Sequence, residues 1–269
     1  MKIYAAQLNL KNCKTKESFE KYLEEEVFSK VDKADLIVFP ENINLCLLFV
    51  KKPVFSLSIK TTFETIFNKI LSIIDLTSIL KTQNLEYQKE IILSSFSNLA
   101  KKYNVNVTSG SFYDKQEDGV YNVIYAIDRN GEILSHAKKK ALVGLEKAFR
   151  MKSKAENTSV QFDFAKVGLC ICFDLNDKDY ISKYDCEILV APSNGYRPFP
   201  GYPFDYKKET PQIQRAQENN FCIIRPYCAG WLGPLYFQGH TMIVDKFGNV
   251  IGKAKSKDKT ELVFNIISR

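Results

Sequence analysis

Short apolar runs and amphipathic segments alternate along the chain. Lys2–Leu8 (KIYAAQL) and Asp35–Phe39 (DLIVF) are apolar runs typical of buried strands, and Pro40 ends the second. Between them, the apolar residues of Glu17–Phe28 recur at helical spacing: Phe19, Tyr22, Leu23 and Val27. A strand, a helix and a second strand predict a parallel pair of strands with helices covering the sheet.

The pattern changes character twice after this unit. Residues 50–104 are mostly helical in pattern, with one apolar stripe from Phe63 to Ile74 and another from Ile92 to Tyr103. From residue 105 the chain is rich in strand patterns, and Asn130-Gly131 predicts a hairpin turn. The predicted strands are Val105–Phe112, Tyr121–Asp128, Glu132–His136, Val167–Cys172, Cys186–Ala191, Phe221–Pro226, Thr241–Val244, Val250–Lys253 and Glu261–Ile267, with a helix at Thr210–Asn220. We therefore expect residues 1–269 to form one α/β domain that contains two mixed sheets.

The sequence allows more than one structural role for each of three apolar or aromatic features. The segment Leu45–Phe55 is typical of a lid, a subunit contact or a buried loop. Aromatic residues from Tyr196 to Tyr206 suit either a pocket wall or simple loop packing, and Trp231 suits a pocket or a dimer surface.

Composition narrows the class of protein. Hydrophobic residues make up 45% and charged residues 26% of the chain, which excludes a disordered or collagen-like protein. The irregular spacing of the seven cysteines does not indicate a disulfide framework. The residues after Met1 do not have the pattern of a leader peptide. No apolar run reaches the roughly 18 residues of a membrane-spanning helix. We expect a cytoplasmic protein with reduced thiols and without stable membrane insertion. The net charge of +7 is spread along the chain, which favours solubility over nucleic-acid binding.

Reactive side chains follow predicted strands at three places, where α/β proteins commonly place their sites. Glu41 follows Pro40, and partial burial there would adapt its carboxylate to general-base work, although a solvated turn is the plainer interpretation. Cys172 ends a strand and precedes a free backbone N–H, but a cysteine is more commonly a buried structural residue, an interpretation that suits Cys170. Lys139 lies in a run of three lysines and is equally consistent with a solvated basic face. His240 remains an alternative base for Cys172.

Taken in order, these residues resemble the Glu-Lys-Cys triad of the carbon–nitrogen hydrolase family, also called the nitrilase superfamily. The resemblance covers nearly the whole chain, through the segments KIYAAQLNL, DLIVFPEN, TSGSFYDKQEDGVYNVIYAIDRNGEIL, KKKALVGLE, KVGLCICFDL, CEILVAPSNGY, RAQENNFCIIRP and FQGHTMIVDKFGNVIGKA. The sequence departs from the family pattern at two places. The lysine motif is Ala137–Leu142 (AKKKAL), so the family lysine could be assigned one residue to either side, and we assign it to Lys139. After the nucleophile, Asn176–Asp179 stands where many members have Arg-Phe-Pro-Glu.

The resemblance implies a fold, a chemistry and partners. The implied fold is a four-layer α-β-β-α sandwich, and the implied reaction is cleavage of a non-peptide amide through a cysteine thioester. Glu41 would be the base, Cys172 the nucleophile, and Lys139 with the Phe173 backbone N–H the stabilisers of the oxyanion. Glu146 matches a family glutamate that positions the lysine, against the plainer interpretation of a surface helix start. No metal or organic cofactor is implied, and the partners are a small-molecule amide and a second copy of the chain in a homodimer or higher homo-oligomer.

Other functions remain open at this stage. An N-acyltransferase of the same fold would deliver the acyl group to an amine, a nitrilase would act on a nitrile, and a binding protein could retain the fold without catalysis.

Overall fold

The first strand, β1 (Lys2–Asn9), is buried on both of its faces. Ile3 and Ala5 belong to one hydrophobic core, and Tyr4 and Leu8 belong to another. A strand covered on both sides needs apolar residues at successive positions, which explains the uninterrupted apolar run in the sequence.

The computed structural model describes residues 1–13, 15–48, 84–197, 210–232 and 235–267. In those ranges the helices are α1 (Lys16–Glu26), α2 (Leu45–Leu48), α3 (Leu85–Tyr103), α4 (Leu145–Ala148), α5 (Lys178–Ile181) and α6 (Thr210–Asn219), with 3₁₀ turns at Phe28–Lys30 and Cys172–Asn176. The remaining strands are β2 (Leu36–Val38), β3 (Asn106–Gln116), β4 (Gly119–Ile127), β5 (Ile133–Lys138), β6 (Thr158–Gln161), β7 (Lys166–Leu169), β8 (Ile188–Val190), β9 (Tyr196–Arg197), β10 (Cys222–Arg225), β11 (Cys228–Leu232), β12 (Leu235–Gln238), β13 (Met242–Val244), β14 (Val250–Lys253) and β15 (Glu261–Ile266).

The described strands form two mixed sheets. The first has the order β5-β4-β3-β2-β1-β11-β12-β9, and β15 pairs antiparallel with β1. The second has the order β14-β13-β10-β8-β7-β6. Strands β1 and β2 run parallel with Ile3 opposite Leu36, which confirms the predicted crossover.

Three hydrophobic cores separate four layers. Helices α1 and α3 cover the outer face of the first sheet through residues such as Phe19 and Phe96, and α5 and α6 cover the second through Ile181 and Ala216. A third core, which includes Ile3, fills the space between the sheets. The chain therefore adopts the predicted four-layer α-β-β-α sandwich.

Local sequence chemistry explains several element boundaries. Thr15 and Ser18 form a capping box at the start of α1, with Ser18 N–H donating to Thr15 Oγ1 over 3.2 Å. The Asn130-Gly131 turn joins β4 to β5 as predicted, with Gly131 at φ +83°. A side chain at Gly131 would also place its Cβ 2.6 Å from the Ser97 carbonyl oxygen, so glycine is required there.

Some predictions differ from the structure. The predicted strand Val167–Cys172 ends at Leu169, because the chain then turns through a left-handed residue at Cys172. The pattern also misses β6, β9, β11 and β12, which have only two to five residues and therefore show too little alternation.

Part of the predicted helical region can be compared. Its second stripe forms α3, where Ile92, Phe96 and Leu99 are buried as predicted. The first stripe, from Phe63 to Ile74, and most of the apolar segment Leu45–Phe55 lie outside the described residues. Leu45, Cys46 and Leu47 are buried in the core beside the first sheet. None of the helices in the described ranges is both long and apolar enough to cross a membrane.

Candidate active site

Glu41 lies in the turn that follows β2, and its carboxylate is buried. The residue is only 1% exposed, and Oε2 accepts a hydrogen bond from the Asn194 backbone N–H over 3.1 Å. Its own carbonyl oxygen accepts a 3.2 Å hydrogen bond from the Cys228 thiol. The solvated turn that the sequence left open is therefore excluded, and the carboxylate is enclosed.

A bulge in β3 makes room for this turn. Gly110 has φ +68°, and a Cβ there would lie 2.0 Å from the Pro40 carbonyl oxygen. The same oxygen accepts a 3.2 Å hydrogen bond from Ser111 N–H, and the Ser111 carbonyl accepts one from Ile43 N–H over 3.0 Å. Strand β3 thus fixes the backbone on both sides of Glu41.

Lys139 follows β5 directly, and its side chain points into the protein. It is 1% exposed, and Nζ lies 2.6 Å from Glu41 Oε1 and 2.8 Å from Glu146 Oε2. The adjacent lysines have other partners: Lys138 lies over the ring of Tyr121, and Lys140 pairs with Asp177. The run of three lysines is therefore not a uniform solvated face, and Lys139 is the member next to Glu41.

Glu146 enters the site from α4. It is 3% exposed, and its Oε2 accepts a 3.0 Å hydrogen bond from Val143 N–H in addition to the Lys139 contact. The interpretation of Glu146 as a surface helix start does not fit this burial.

Asn122 links the two carboxylates. Its Nδ2 donates to Glu41 Oε1 over 3.1 Å and to Glu146 Oε1 over 2.6 Å, and its backbone carbonyl oxygen accepts from the Lys139 backbone N–H over 2.9 Å. The sequence analysis did not identify Asn122 as a site residue. A polar amide within the apolar run of β4 is the signal that could have indicated it.

The buried charges shift one another's proton affinity. Burial acts to lower the pKa of Lys139, but electrostatic interactions with Glu41, Cys172 and Glu146 outweigh burial, and the pKa is raised well above its ordinary value. Burial raises the pKa of Glu146, against the opposing effect of Lys139. Lys139 is therefore an ammonium ion at neutral pH.

Cys172 begins the 3₁₀ turn after β7 and has φ +49°. It is half-buried and packs beside the core between the sheets, whereas Cys170 lies in the core between the second sheet and its helices. The two cysteines pack against different cores because strand alternation no longer applies beyond Leu169. The neighbouring Phe173 is 47% exposed.

The thiol of Cys172 is protonated at neutral pH. Burial and the negative charge of Glu41 raise its pKa to about 11, against the opposing effects of Lys139, Arg225 and a hydrogen bond with Ser193. The Cys172 thiol therefore interacts electrostatically with both members of the Glu41–Lys139 pair.

Arg225 and Ser193 are two further residues that the sequence analysis missed. Arg225 is 8% exposed; its Nε donates to Ser193 Oγ over 3.0 Å and its Nη1 to Gln212 Oε1 over 2.6 Å. The signal in the sequence is an arginine at the end of the apolar strand β10, since a buried arginine needs specific partners.

The other candidates have different surroundings. His240, the alternative base, packs against Tyr227 with ring centroids 6.5 Å apart. Trp231 is 51% exposed and packs against Tyr236 with the two rings tilted by 50°. Of the aromatic segment Tyr196–Tyr206, residues 198–206 lie outside the described residues. Within the described ranges, no group of three or more His, Cys, Asp or Glu side chains is arranged to hold a metal ion.

Comparison with curated protein sequences finds relatives that are named as amidases. The chain is 28% identical over 156 residues to 2-oxoglutaramate amidase of Bacillus subtilis, an alignment that covers 57% of this chain and 59% of that protein. It is 31% identical over 197 residues to deaminated glutathione amidase of Dictyostelium discoideum, covering 62% and 63%. These alignments span less than two thirds of either relative.

Solved structures share the architecture. The NitN amidase from Nesterenkonia sp. AN1 superposes with a TM-score of 0.71 over 100% of this chain and 93% of that chain, at 14% identity. Saccharomyces cerevisiae Nit3, of the nitrilase superfamily, gives a TM-score of 0.68 over 98% and 89%, at 16% identity. A variant of the Nesterenkonia amidase carries acrylamide added at its active-site cysteine.

The sequence profile of the carbon-nitrogen hydrolases matches residues 3–268. Because this match covers nearly the whole chain, the chain belongs to the carbon-nitrogen hydrolase family, and its four-layer sandwich agrees with that assignment.

Proposed function

We propose that this protein hydrolyses the carbon–nitrogen bond of a small non-peptide amide through a thioester on Cys172. The observation that carries the proposal is the buried Lys139 ammonium, which bridges Glu41 and Glu146 beside the protonated thiol of Cys172. A thiol, a carboxylate and a fixed cation in one enclosed site supply a nucleophile, a base and an oxyanion partner.

The first half of the reaction forms the thioester. Glu41 removes the proton of the Cys172 thiol, and the thiolate attacks the amide carbonyl carbon. Lys139 and the Phe173 backbone N–H stabilise the resulting oxyanion, because N–H groups at the start of a helical turn lack partners within the turn. Collapse of this intermediate breaks the carbon–nitrogen bond, and Glu41 returns its proton to the departing amine.

The second half releases the acid. Water enters where the amine left, and Glu41 takes one of its protons as the oxygen attacks the thioester carbon. The carbon–sulfur bond then breaks, and the proton passes to the sulfur to restore the thiol. Glu41 is needed in both halves, since a thiol with a pKa of about 11 is almost wholly protonated at pH 7.

The relatives support an amide in preference to a nitrile as the substrate. Both curated relatives named above are amidases. The Michael addition of acrylamide to the active-site cysteine in a variant of the Nesterenkonia amidase shows separately that this cysteine is nucleophilic. We propose that the same reactivity belongs to Cys172.

We also propose that residues 1–269 form one catalytic domain and that the protein assembles as a homodimer, as the family resemblance implies. Sedimentation of the purified chain tests the assembly. A mass near 62 kDa, twice the 30.9 kDa of one chain, is expected, and a single-chain mass contradicts it.

The test of function is incubation of the purified protein with a panel of short amides. Intact mass and ammonia release are recorded for the wild type, C172A and C186A, since Cys186 is the other half-buried cysteine. We expect an acyl adduct and ammonia from the wild type and C186A, and neither from C172A.

Other outcomes identify other functions. An adduct that clears only after an amine is added indicates an acyltransferase. If a broad panel gives neither adduct nor ammonia, and Cys172 resists alkylation, the protein binds ligands without catalysis.

A further inference from the structure

The carboxylate of Asp174 is buried and accepts hydrogen bonds from two separate segments. Asp174 is 0% exposed. Its Oδ1 accepts from Ala141 N–H over 2.7 Å, and its Oδ2 accepts from Ile171 N–H over 3.1 Å and from Lys140 N–H over 3.5 Å. No cationic side chain among the described residues forms an ion pair with Asp174. A buried acid without such a partner is costly, so its retention calls for a reason beyond stability.

The two segments carry the proposed lysine and nucleophile. Lys140 and Ala141 directly follow Lys139 at the edge of the first sheet, and Ile171 directly precedes Cys172 beyond the second sheet. Asp174 therefore connects the sheets at the point where the ammonium and the thiol must be aligned.

All three donors are backbone N–H groups, so they require an acceptor. An ionised carboxylate can accept from every one of them, whereas a protonated acid or an amide presents a donor of its own. The charged or titratable groups near Asp174 are Lys139, Cys170, Tyr180 and Tyr184, and Lys139 favours the ionised form.

We propose that Asp174 is a positioning residue whose ionised carboxylate holds the Cys172 turn against the Lys139 loop, so that alignment of the site depends on pH. This inference rests on the proposed function of Cys172 and Lys139. Burial raises the pKa of Asp174 to about 6, in spite of the N–H donors and Lys139. Alignment is thus complete above pH 7 and is lost below pH 5.

The test compares D174N with D177N on an amide that the wild type hydrolyses. Asp177 lies just after the same 3₁₀ turn but caps α5 and pairs with Lys140 at the surface, so D177N is a matched control. We expect D174N to lower kcat on the order of 100-fold with little change in KM, since small misplacements of reacting groups have effects of that size. In the pH profile of kcat, we expect the wild type and D177N to lose activity as pH falls through about 6. We expect D174N to lack this acid limb.

A second measurement does not depend on amide turnover or on the folding of a variant. In wild-type protein labelled with ¹⁵N and with ¹³C in aspartate carboxyls, the amide signals of Ala141 and Ile171 should shift with pH at the midpoint of the Asp174 carboxyl. In parallel, alkylation of Cys172 by iodoacetamide is followed by peptide mass spectrometry, and its rate should change through the same midpoint.

The outcomes are separable. Unchanged kcat and an unchanged acid limb in D174N, or amide signals that stay constant from pH 5 to pH 8, overturn the positioning role. If the wild type hydrolyses no amide while the amide signals and the alkylation rate follow Asp174, the proposed function fails and the positioning role stands.

Discussion

One ammonium group, that of Lys139, pairs with two buried carboxylates. The contacts of 2.6 Å to Glu41 and 2.8 Å to Glu146 leave the three side chains with a net charge of −1 before the thiol ionises. Forming a thiolate adds a second negative charge, and transfer of its proton to Glu41 removes one. In the proposed mechanism the net charge of the site therefore stays constant during activation, which favours proton transfer within the site over loss of the proton to solvent.

Replacing Glu41 with glutamine should have two separate effects, one on the pKa of the Cys172 thiol and one on the rate of amide turnover. The negative charge of Glu41 raises the pKa of Cys172, so E41Q should move the pH midpoint of iodoacetamide alkylation at Cys172 below that of the wild type. Amide turnover should nevertheless fall by roughly 100-fold or more, because the base is lost. Peptide mapping against pH, together with ammonia release, measures both. A midpoint that rises in E41Q contradicts the site described here.

Replacing Lys139 tests the ion pairs against a neighbouring lysine. K139Q leaves two carboxylates facing each other in the protein, and removal of one partner from a buried pair costs about 3–5 kcal/mol of the free energy of unfolding. K138Q removes a charge only over the ring of Tyr121 and should cost less than about 1 kcal/mol. Urea unfolding and amide turnover measure the two variants. Equal stability and activity in the two variants would contradict the assignment of Lys139.

At the scale of elements, the bulge in β3 is what allows Glu41 to approach Asn122 and Lys139. Register shifts between Thr108 and Ser111 at the position where Gly110 faces Pro40. Because only glycine fits against the Pro40 carbonyl with φ +68°, a strand of β-branched residues could not have supported this turn.

The variant G110A should therefore damage both folding and the site. A Cβ placed 2.0 Å from Pro40 oxygen must displace backbone, at a cost of about 3 kcal/mol or more. The control is G144A, since Gly144 has φ +47° but nothing within 4 Å of an added Cβ, so only the left-handed strain of about 1–2 kcal/mol applies. Urea unfolding of both variants checks the difference. Equal losses of unfolding free energy in G110A and G144A would contradict the close approach of Gly110 to the Pro40 carbonyl oxygen.

At the scale of the whole molecule, the site joins the ends of strands from both sheets. Glu41 follows β2 and Lys139 follows β5 in the first sheet, whereas Cys172 follows β7 in the second. The site thus depends on how the two sheets face each other across the core between them, and Asp174 lies at that junction.

Stability should depend on pH through Asp174. Folding raises its pKa from 3.8 to about 6, so its protonated form favours the folded state, and this contribution is lost as pH rises through 6. Between pH 4 and pH 7 the wild type should lose up to about 3 kcal/mol of unfolding free energy relative to D174N. Asp177 has a pKa below 3.8, so the difference in unfolding free energy between the wild type and D177N should stay nearly constant from pH 4 to pH 7 and change only at lower pH. Urea unfolding across this pH range measures both differences, and a constant difference between the wild type and D174N would contradict the prediction.

The linear order of apolar residues was enough to predict one α/β domain with two mixed sheets, whereas the four-layer arrangement was implied by the family resemblance. Period-two and helical spacing report which face of an element is buried, and they anticipated β1, β2, the buried face of α1 and the β4–β5 hairpin. The motifs around Glu41 and Cys172 were equally visible, because a reactive residue beside an apolar strand is a local feature.

Tertiary structure decided which side chains meet. Nothing local distinguishes Lys139 from its two neighbours, and only the register of β5 against β4 directs it to Glu41. The contacts of Asn122 with Glu41, of Asp174 with Ala141 and of Arg225 with Gln212 join residues that are 81, 33 and 13 positions apart in the chain, so they exist only after the sheets have assembled. A sequence records local periodicity, whereas hydrogen bonds and charges depend on distances that folding alone creates.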